Sequence, residues 1–137
     1  MSSIVVYARQ AKFEDVSEDL KLAIEGKGLV VDHVSYIGRM LERTGRDVGS
    51  GRRLFADAQA FQFCSAVLSR ATMEADASNI AFCPYTITVY ETIDEPGKVR
   101  VSYRRPAREG GSAASRAALA KVERLLDAIA REAAGVR

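Results

Sequence analysis

Three side chains in this sequence could bind a metal ion or act as a nucleophile and a base. They are the two cysteines, Cys64 and Cys83, and the single histidine, His33. Thiolates and imidazoles are ligands for zinc, copper and iron, so the three side chains could form one metal site. The spacing does not identify the metal, because the cysteines are 19 positions apart and the chain has no CxxC pair.

The cysteines also allow other interpretations. Cys64 ends a predicted strand where a helix begins, and a helix N-terminus lowers the pKa of a thiol, so either thiol could be a nucleophile with His33 as base. Cys83 precedes Pro84, and such Cys-Pro pairs occur in some haem-responsive proteins, where one thiolate suffices as an axial ligand. The thiols could instead form a disulfide or fill space in the core. The cofactor is therefore left open between a transition metal, haem and none.

His33 lies in the apolar run LVVDHVSY, in phase with Leu29 and Val31. This phase predicts that the imidazole points toward the apolar layer. A core histidine would be satisfied by a carbonyl or a carboxylate. A functional histidine would be a ligand or a proton carrier, since histidine titrates near neutral pH.

Two further features could contact a ligand. Glu91 shares a face with Ile87 and Val89, which predicts a half-buried carboxylate that either belongs to a ligand site or pairs with Arg100 across a hairpin. The loop at residues 49–53, GSGRR, could hold an anion through backbone amides and two guanidinium groups. Such runs are more commonly mobile loops.

Hydrophobic periodicity predicts the elements that position these residues. Short β-branched runs alternate with apolar residues at helical spacing, which gives the order β-α-β-α-β-α-β-β-α. We expect Asp15 to cap the first helix and residues 58–64 to form the third strand. The turn DEPGK makes the last two strands antiparallel. The predicted fold class is α+β, with helices packed on one face of a largely antiparallel sheet.

A helix predicted over residues 112–135 carries one apolar stripe. This stripe must be covered by the sheet or by a partner chain. It consists of Leu119, Val122, Leu126, Ile129 and Ala133. We interpret residues 1–137 as a single domain, with a core at residues 1–106 followed by this C-terminal helix.

Composition narrows the classes of function. The chain has 137 residues and a net charge of +2, with its densest basic segment at residues 103–108. Nucleic-acid binding would want a broader basic face with stacking aromatic residues, so we expect no nucleic-acid partner. No apolar run approaches the roughly 20 residues that cross a bilayer, so we expect no membrane partner and a cytoplasmic location.

Three segments together resemble a prokaryotic family called domain of unknown function 302. They are GLVVDHVSYIGRML, with Asp32 before His33; FADAQAFQFCSAVL, with aromatic residues before Cys64; and CPYTITVYETIDEPGKVRVSYRRP, from Cys83 onward. The resemblance implies a strongly bent antiparallel sheet, similar to half of the TATA-binding-protein fold, that is often paired as a homodimer. It implies no activity. The C-terminal helix and the loop at residues 49–53 look like additions to the family pattern.

We predict a small cytoplasmic binding module without catalysis. It would hold a small ligand or a metal ion at His33, Cys64 and Cys83, with Glu91 as a further ligand contact. One alternative is a thiol-dependent enzyme or redox protein that uses Cys83 or Cys64 with His33. The other is a structural or interaction domain that uses the apolar stripe of the C-terminal helix as its contact face.

Overall fold

Five strands form one antiparallel sheet in the computed structural model, which describes residues 2–106 and 109–137. They are β1 (Ile4–Gln10), β2 (Val31–Ser35), β3 (Phe55–Phe63), β4 (Tyr85–Thr92) and β5 (Lys98–Arg104). Their order across the sheet is β1-β5-β4-β3-β2, and all neighbours are antiparallel. The predicted α+β class is confirmed.

Four α-helices connect or follow these strands in the described part of the chain. They are α1 (Phe13–Gly26), α2 (Ile37–Gly45), α3 (Ala66–Ala75) and α4 (Ala113–Ala134). The order of strands and α-helices is as predicted. A short 3₁₀ helix at Ala77–Phe82, between α3 and β4, was not predicted. None of the helices in the described residues has both the length and the apolar composition needed to span a bilayer.

The first helix and the third strand both begin earlier than predicted. Helix α1 begins at Phe13 with Lys12 in the N-cap position, so Asp15 is not the cap. The helix therefore starts three residues earlier than predicted, and its first residue, Phe13, is buried. Strand β3 begins at Phe55, three residues earlier than predicted. Of the basic segment at residues 103–108, Ala107 and Arg108 lie outside the described residues.

The core lies between the sheet and helices α1 and α4. Side chains alternate along β4 and β5 so that one face is fully buried, as period-two strands require. The fully buried residues of these strands are Ile87, Val89, Val99 and Val101. Helix α1 covers them with residues at helical spacing, namely Val16, Leu20, Ala23 and Ile24.

The sheet and its neighbouring helices cover the apolar stripe of α4. All five stripe residues are buried within the chain itself, and Val122 has no exposed surface. Ser112 caps the N-terminus of α4, and Gly135 ends it with a φ of 69°. Because the stripe is already part of the core, the interpretation of α4 as a contact face for a partner is wrong.

Helix α2 packs on the other side of β3 from α1. Gln59 of β3 bonds Ser17 of α1, so its neighbour Ala58 faces away from α1. Gly38 of α2 lies against Ala58, and a Cβ on Gly38 would come within 3.2 Å of the Ala58 backbone nitrogen. This close approach explains the glycine. Helix α2 buries none of its residues, and Met40 and Leu41 are exposed.

Candidate thiol site

The two cysteines meet at one end of strands β3 and β4. The register of these strands pairs Phe63 with Tyr85, so Cys64 leaves β3 where Cys83 leads into β4. Cys83 has extended backbone, as expected for a residue before proline. The two Sγ atoms are 3.1 Å apart, and both thiols are free and half-buried. The structure therefore brings together two of the three predicted ligands.

Helix α3 supplies the polar wall of this site. The Ser69 hydroxyl lies 3.7 Å from Cys83 Sγ and 2.9 Å from the Tyr85 hydroxyl. Ser69 is buried, as is Tyr85. One thiol is thus joined to a short chain of hydroxyl groups that leads into the core.

The site does not favour ionisation of Cys64. Burial, followed by the hydrogen bond with Cys83 and the charges of Cys83 and Asp32, raises the pKa of the Cys64 thiol to about 11. The prediction that a helix start lowers this pKa is wrong. Helix α3 begins at Ala66, and its N-cap is Ser65, whose hydroxyl accepts the Leu68 amide. At neutral pH the Cys64 thiol is protonated and is a weak nucleophile.

His33 does not join the thiols. The β2–β3 pairing shifts its register between Val31 and His33, which places an extra residue, Asp32, in the strand. Val31 and Val34 therefore both pack against the core, and His33 is exposed. The prediction that His33 points to the apolar layer is wrong. Within residues 2–106 and 109–137, no three His, Cys, Asp or Glu side chains are placed to hold a metal ion.

Glu91 has a local structural partner. Its Oε2 atom accepts a hydrogen bond of 2.8 Å from the Gly97 amide, which closes the turn between β4 and β5. Arg100 instead forms an ion pair with Glu95. The predicted Glu91–Arg100 pair is wrong, and Glu91 lies at the far end of β4 from the thiols.

The loop at residues 49–53 uses much of its polar surface on the chain itself. The Gly49 amide donates to the carbonyl of Arg46, the residue after α2, at 3.2 Å, and the Ser50 amide donates to the carbonyl of Gly45 in α2 at 2.8 Å. Arg53 pairs with Glu42 at 3.1 Å. Two of the amides and one of the guanidinium groups proposed for an anion are therefore already engaged.

The structure contains a second polar cluster that was not predicted from the sequence. Asp127 of α4 accepts hydrogen bonds from the hydroxyls of Tyr7 and Tyr103, and its other oxygen pairs with Arg131 Nε at 2.7 Å. Burial raises the pKa of both tyrosines, and Asp127 raises it further. Burial opposes ionisation of Asp127, but the three donors outweigh it and hold the pKa of the carboxyl below 3.8. We name these four residues the Asp127 cluster.

Comparisons with known proteins give a family and a solved structure of similar fold. A family model described as "Domain of unknown function DUF302" matches residues 5–133. The crystal structure of an uncharacterised conserved DUF302 protein from Bacillus stearothermophilus is similar, with a TM-score of 0.79 and 15% sequence identity. The match covers 97% of this chain and 99% of that one. At this identity the likeness shows the fold alone. No curated protein matches the chain significantly.

Proposed function

Because the chain belongs to the DUF302 family, which is defined without an activity, we propose its function from the thiol pair. The protein is a binding module in which Cys64 and Cys83 together bind one soft metal ion, such as Cu(I). The observation that carries this proposal is the 3.1 Å contact between two free thiols that are distant in sequence.

The number of protein ligands at the site indicates which metal ion it could bind. Structural zinc sites take four protein ligands, and catalytic zinc sites take three. The described residues provide two sulfurs and no group of three ligating side chains. Soft Cu(I) prefers thiolates and is stable with two of them. Small rotations of the two side chains would let both sulfurs reach one ion.

The raised pKa of Cys64 supports binding over catalysis. A nucleophile needs its thiolate free at working pH, whereas a metal ion displaces the proton as it binds. The surroundings of Cys64, burial first among them, raise its pKa to about 11. The exposed imidazole of His33 makes no hydrogen bond to either thiol among the described residues, so the pair lacks a base in contact with it.

The test is a Cu(I) titration of the reduced protein under nitrogen against a coloured competing chelator. We expect one ion per chain in the parent and in His33→Ala, and at least tenfold weaker binding in Cys64→Ser and Cys83→Ser. Binding should weaken as pH falls, because protons compete for the sulfurs. Equal Cu(I) binding by the parent and by the variant with both cysteines replaced would overturn the proposal.

A reversible dithiol–disulfide couple is the second candidate, favoured by the same contact. A disulfide bond is about 2.05 Å long, so closing it needs a shift of about 1 Å. The two thiols would give two protons and two electrons to a small disulfide, which leaves as two thiols. Loss of both free thiols on incubation with oxidised glutathione, in a parent that binds no Cu(I), would favour this candidate instead.

The homodimer expected from the family resemblance stays a prediction. Exposed apolar side chains support it: Tyr36 precedes α2, and Met40 and Leu41 lie on it. Light scattering of the purified chain would measure its mass in solution, and a monomer at all concentrations would contradict the prediction.

A further inference from the structure

A cleft of about 570 Å³ lies beside the Asp127 cluster, where α4 crosses the edge of the sheet formed by β1 and β5. Tyr7 and Tyr103 contribute from the strands, and Asp127 and Arg131 contribute from α4. Its volume is within the range of small-molecule sites, which combine an apolar lining with a few fixed polar groups. The cleft is separate from the thiol pair.

The base of the cleft is held rigid by the cluster. Both tyrosine hydroxyls donate to the same oxygen of Asp127, Oδ1, and the other oxygen pairs with Arg131. The Arg131 guanidinium also lies over the Tyr7 ring, 4.9 Å from its centre. The carboxylate has three donors, so it is a structural group that positions Arg131 and is not itself available to a cation.

Three guanidinium groups line the cleft. Arg131 is positioned by Asp127, and Arg105 pairs with Glu123 at 3.2 Å. Arg124 is exposed and forms no ion pair in the described part of the chain. Three positive groups thus face two carboxylates, which leaves one positive charge in excess. Guanidinium groups bind carboxylates and phosphates with two parallel hydrogen bonds, and prior positioning reduces the entropy lost on binding.

We propose that this cleft binds a small organic molecule that carries an oxyanion, either a phosphate or a carboxylate. Arg124 supplies the uncompensated charge, and Nη2 of Arg131, whose Nη1 donates to the Arg137 carbonyl at 2.9 Å, completes the contact. Asp127 and the two tyrosines are positioning residues, because they act through Arg131. Ala128, a small residue on the same face of α4, leaves room for the organic part of the ligand.

The test measures binding of three probes by calorimetry and by backbone amide shifts: phenyl phosphate, benzoate and neutral benzyl alcohol. We expect at least one anionic probe to bind and to shift amides around residues 124–131, while benzyl alcohol binds at least tenfold more weakly. Arg124→Gln should weaken the anion at least tenfold, as expected for loss of a charge-assisted contact. The stronger of the two anions identifies the oxyanion.

Arg70→Gln is the matched control. Arg70 lies on the exposed surface of α3 in a pair with Glu74, so the substitution changes net charge by the same amount away from the cleft. It should leave binding unchanged. Equal weakening in both variants would show a general charge effect and overturn the proposal. So would the absence of binding by both anions, or binding that Arg124→Gln leaves intact.

Discussion

The thiol pair and the Asp127 cluster hold polar atoms in opposite ways. At the thiol pair, two groups of the same kind are in contact, and the environment of Cys64 raises its pKa. At the Asp127 cluster, one carboxylate accepts from three donors, and its pKa is lowered. Both sites are half-buried between the same sheet and helices. The opposite pKa shifts therefore come from the chemistry of the groups that contact Cys64 and Asp127.

The contrast is between the Asp127 carboxylate, whose hydrogen bonds are filled within the chain, and the two thiols, which can still bind an external group. The Asp127 carboxylate stabilises α4 against the sheet and has its hydrogen bonds filled by the fold. In the part of the chain that the structure describes, the two sulfurs have weak hydrogen bonds to each other and to Ser69, and Cys64 has one more with the Tyr85 backbone. A metal ion would therefore gain more from binding the thiols than from binding the Asp127 carboxylate. The Asp127 cluster contributes to ligand binding by fixing the guanidinium groups around it.

The largest difference should appear in stability. Asp127→Ala leaves two tyrosine hydroxyls without their acceptor, and Tyr103 is buried, so we expect a loss of about 2 kcal/mol. Cys83→Ala removes a half-buried sulfur with weak contacts and should cost about 1 kcal/mol or less. Urea unfolding of both variants measures the difference. Equal losses would mean that the cluster is no better satisfied than the thiols.

The free energy of unfolding should fall in base because of the cysteine and the tyrosines, and it should fall in acid because of Asp127. A pKa that folding raises gives stability that is complete below the unfolded pKa and is lost as pH rises through the folded pKa. For Cys64 the loss runs from about pH 9 to about 11, and for Tyr7 and Tyr103 it begins near pH 10. Asp127 has the opposite sign, and its contribution is lost as pH falls below 3.8.

Unfolding free energy measured between pH 7 and 11 separates these contributions. Tyr103→Phe should flatten the decline above pH 10, and Cys64→Ser should flatten the part that begins near pH 9. A parent curve that stays level up to pH 11 would contradict both raised values.

The smallest effect concerns His33. Alkylation of Cys64 by iodoacetamide should be slow at pH 7 and should accelerate toward pH 11, because only the thiolate reacts. His33→Ala should leave this rate unchanged and should shift stability by less than about 0.5 kcal/mol, since the side chain is exposed. Mass spectrometry of the labelled peptide gives the rate. Slower labelling in the variant would show that the His33 imidazole acts on the thiol, and would contradict this prediction.

Periodicity predicted most of the fold because each long element repeats its apolar residues at one period. The stripe from Leu119 to Ala133 and the alternation of Val99 and Val101 are such repeats. The 3₁₀ helix at Ala77–Phe82 has only six residues, which is too short for a period to show. The start of α1 was misplaced because Asp15 is a good capping residue, whereas the helix begins at the buried Phe13 with Lys12 in the N-cap position.

The candidate site was harder to predict from the sequence than the fold. The meeting of Cys64 and Cys83 depends on the register of β3 against β4, which their separation of 19 positions does not reveal. In the Asp127 cluster, Tyr7 bonds Asp127 across a separation of 120 positions. A signal for it existed: Tyr103 is in phase with the buried Val99 and Val101, and a buried phenol needs an acceptor.

The extra residue at Asp32 has a consequence for comparing relatives of this chain. Without the bulge, regular alternation would turn the imidazole of His33 to the face of Val31, toward Phe63 and the helices, and would turn Val34 away from the core. Two relatives could therefore share an Asp-His pair in aligned columns and yet display the imidazole on opposite sides of the sheet. In this strand the presence or absence of the bulge decides which face of the sheet displays the imidazole, even where the aligned residues are identical.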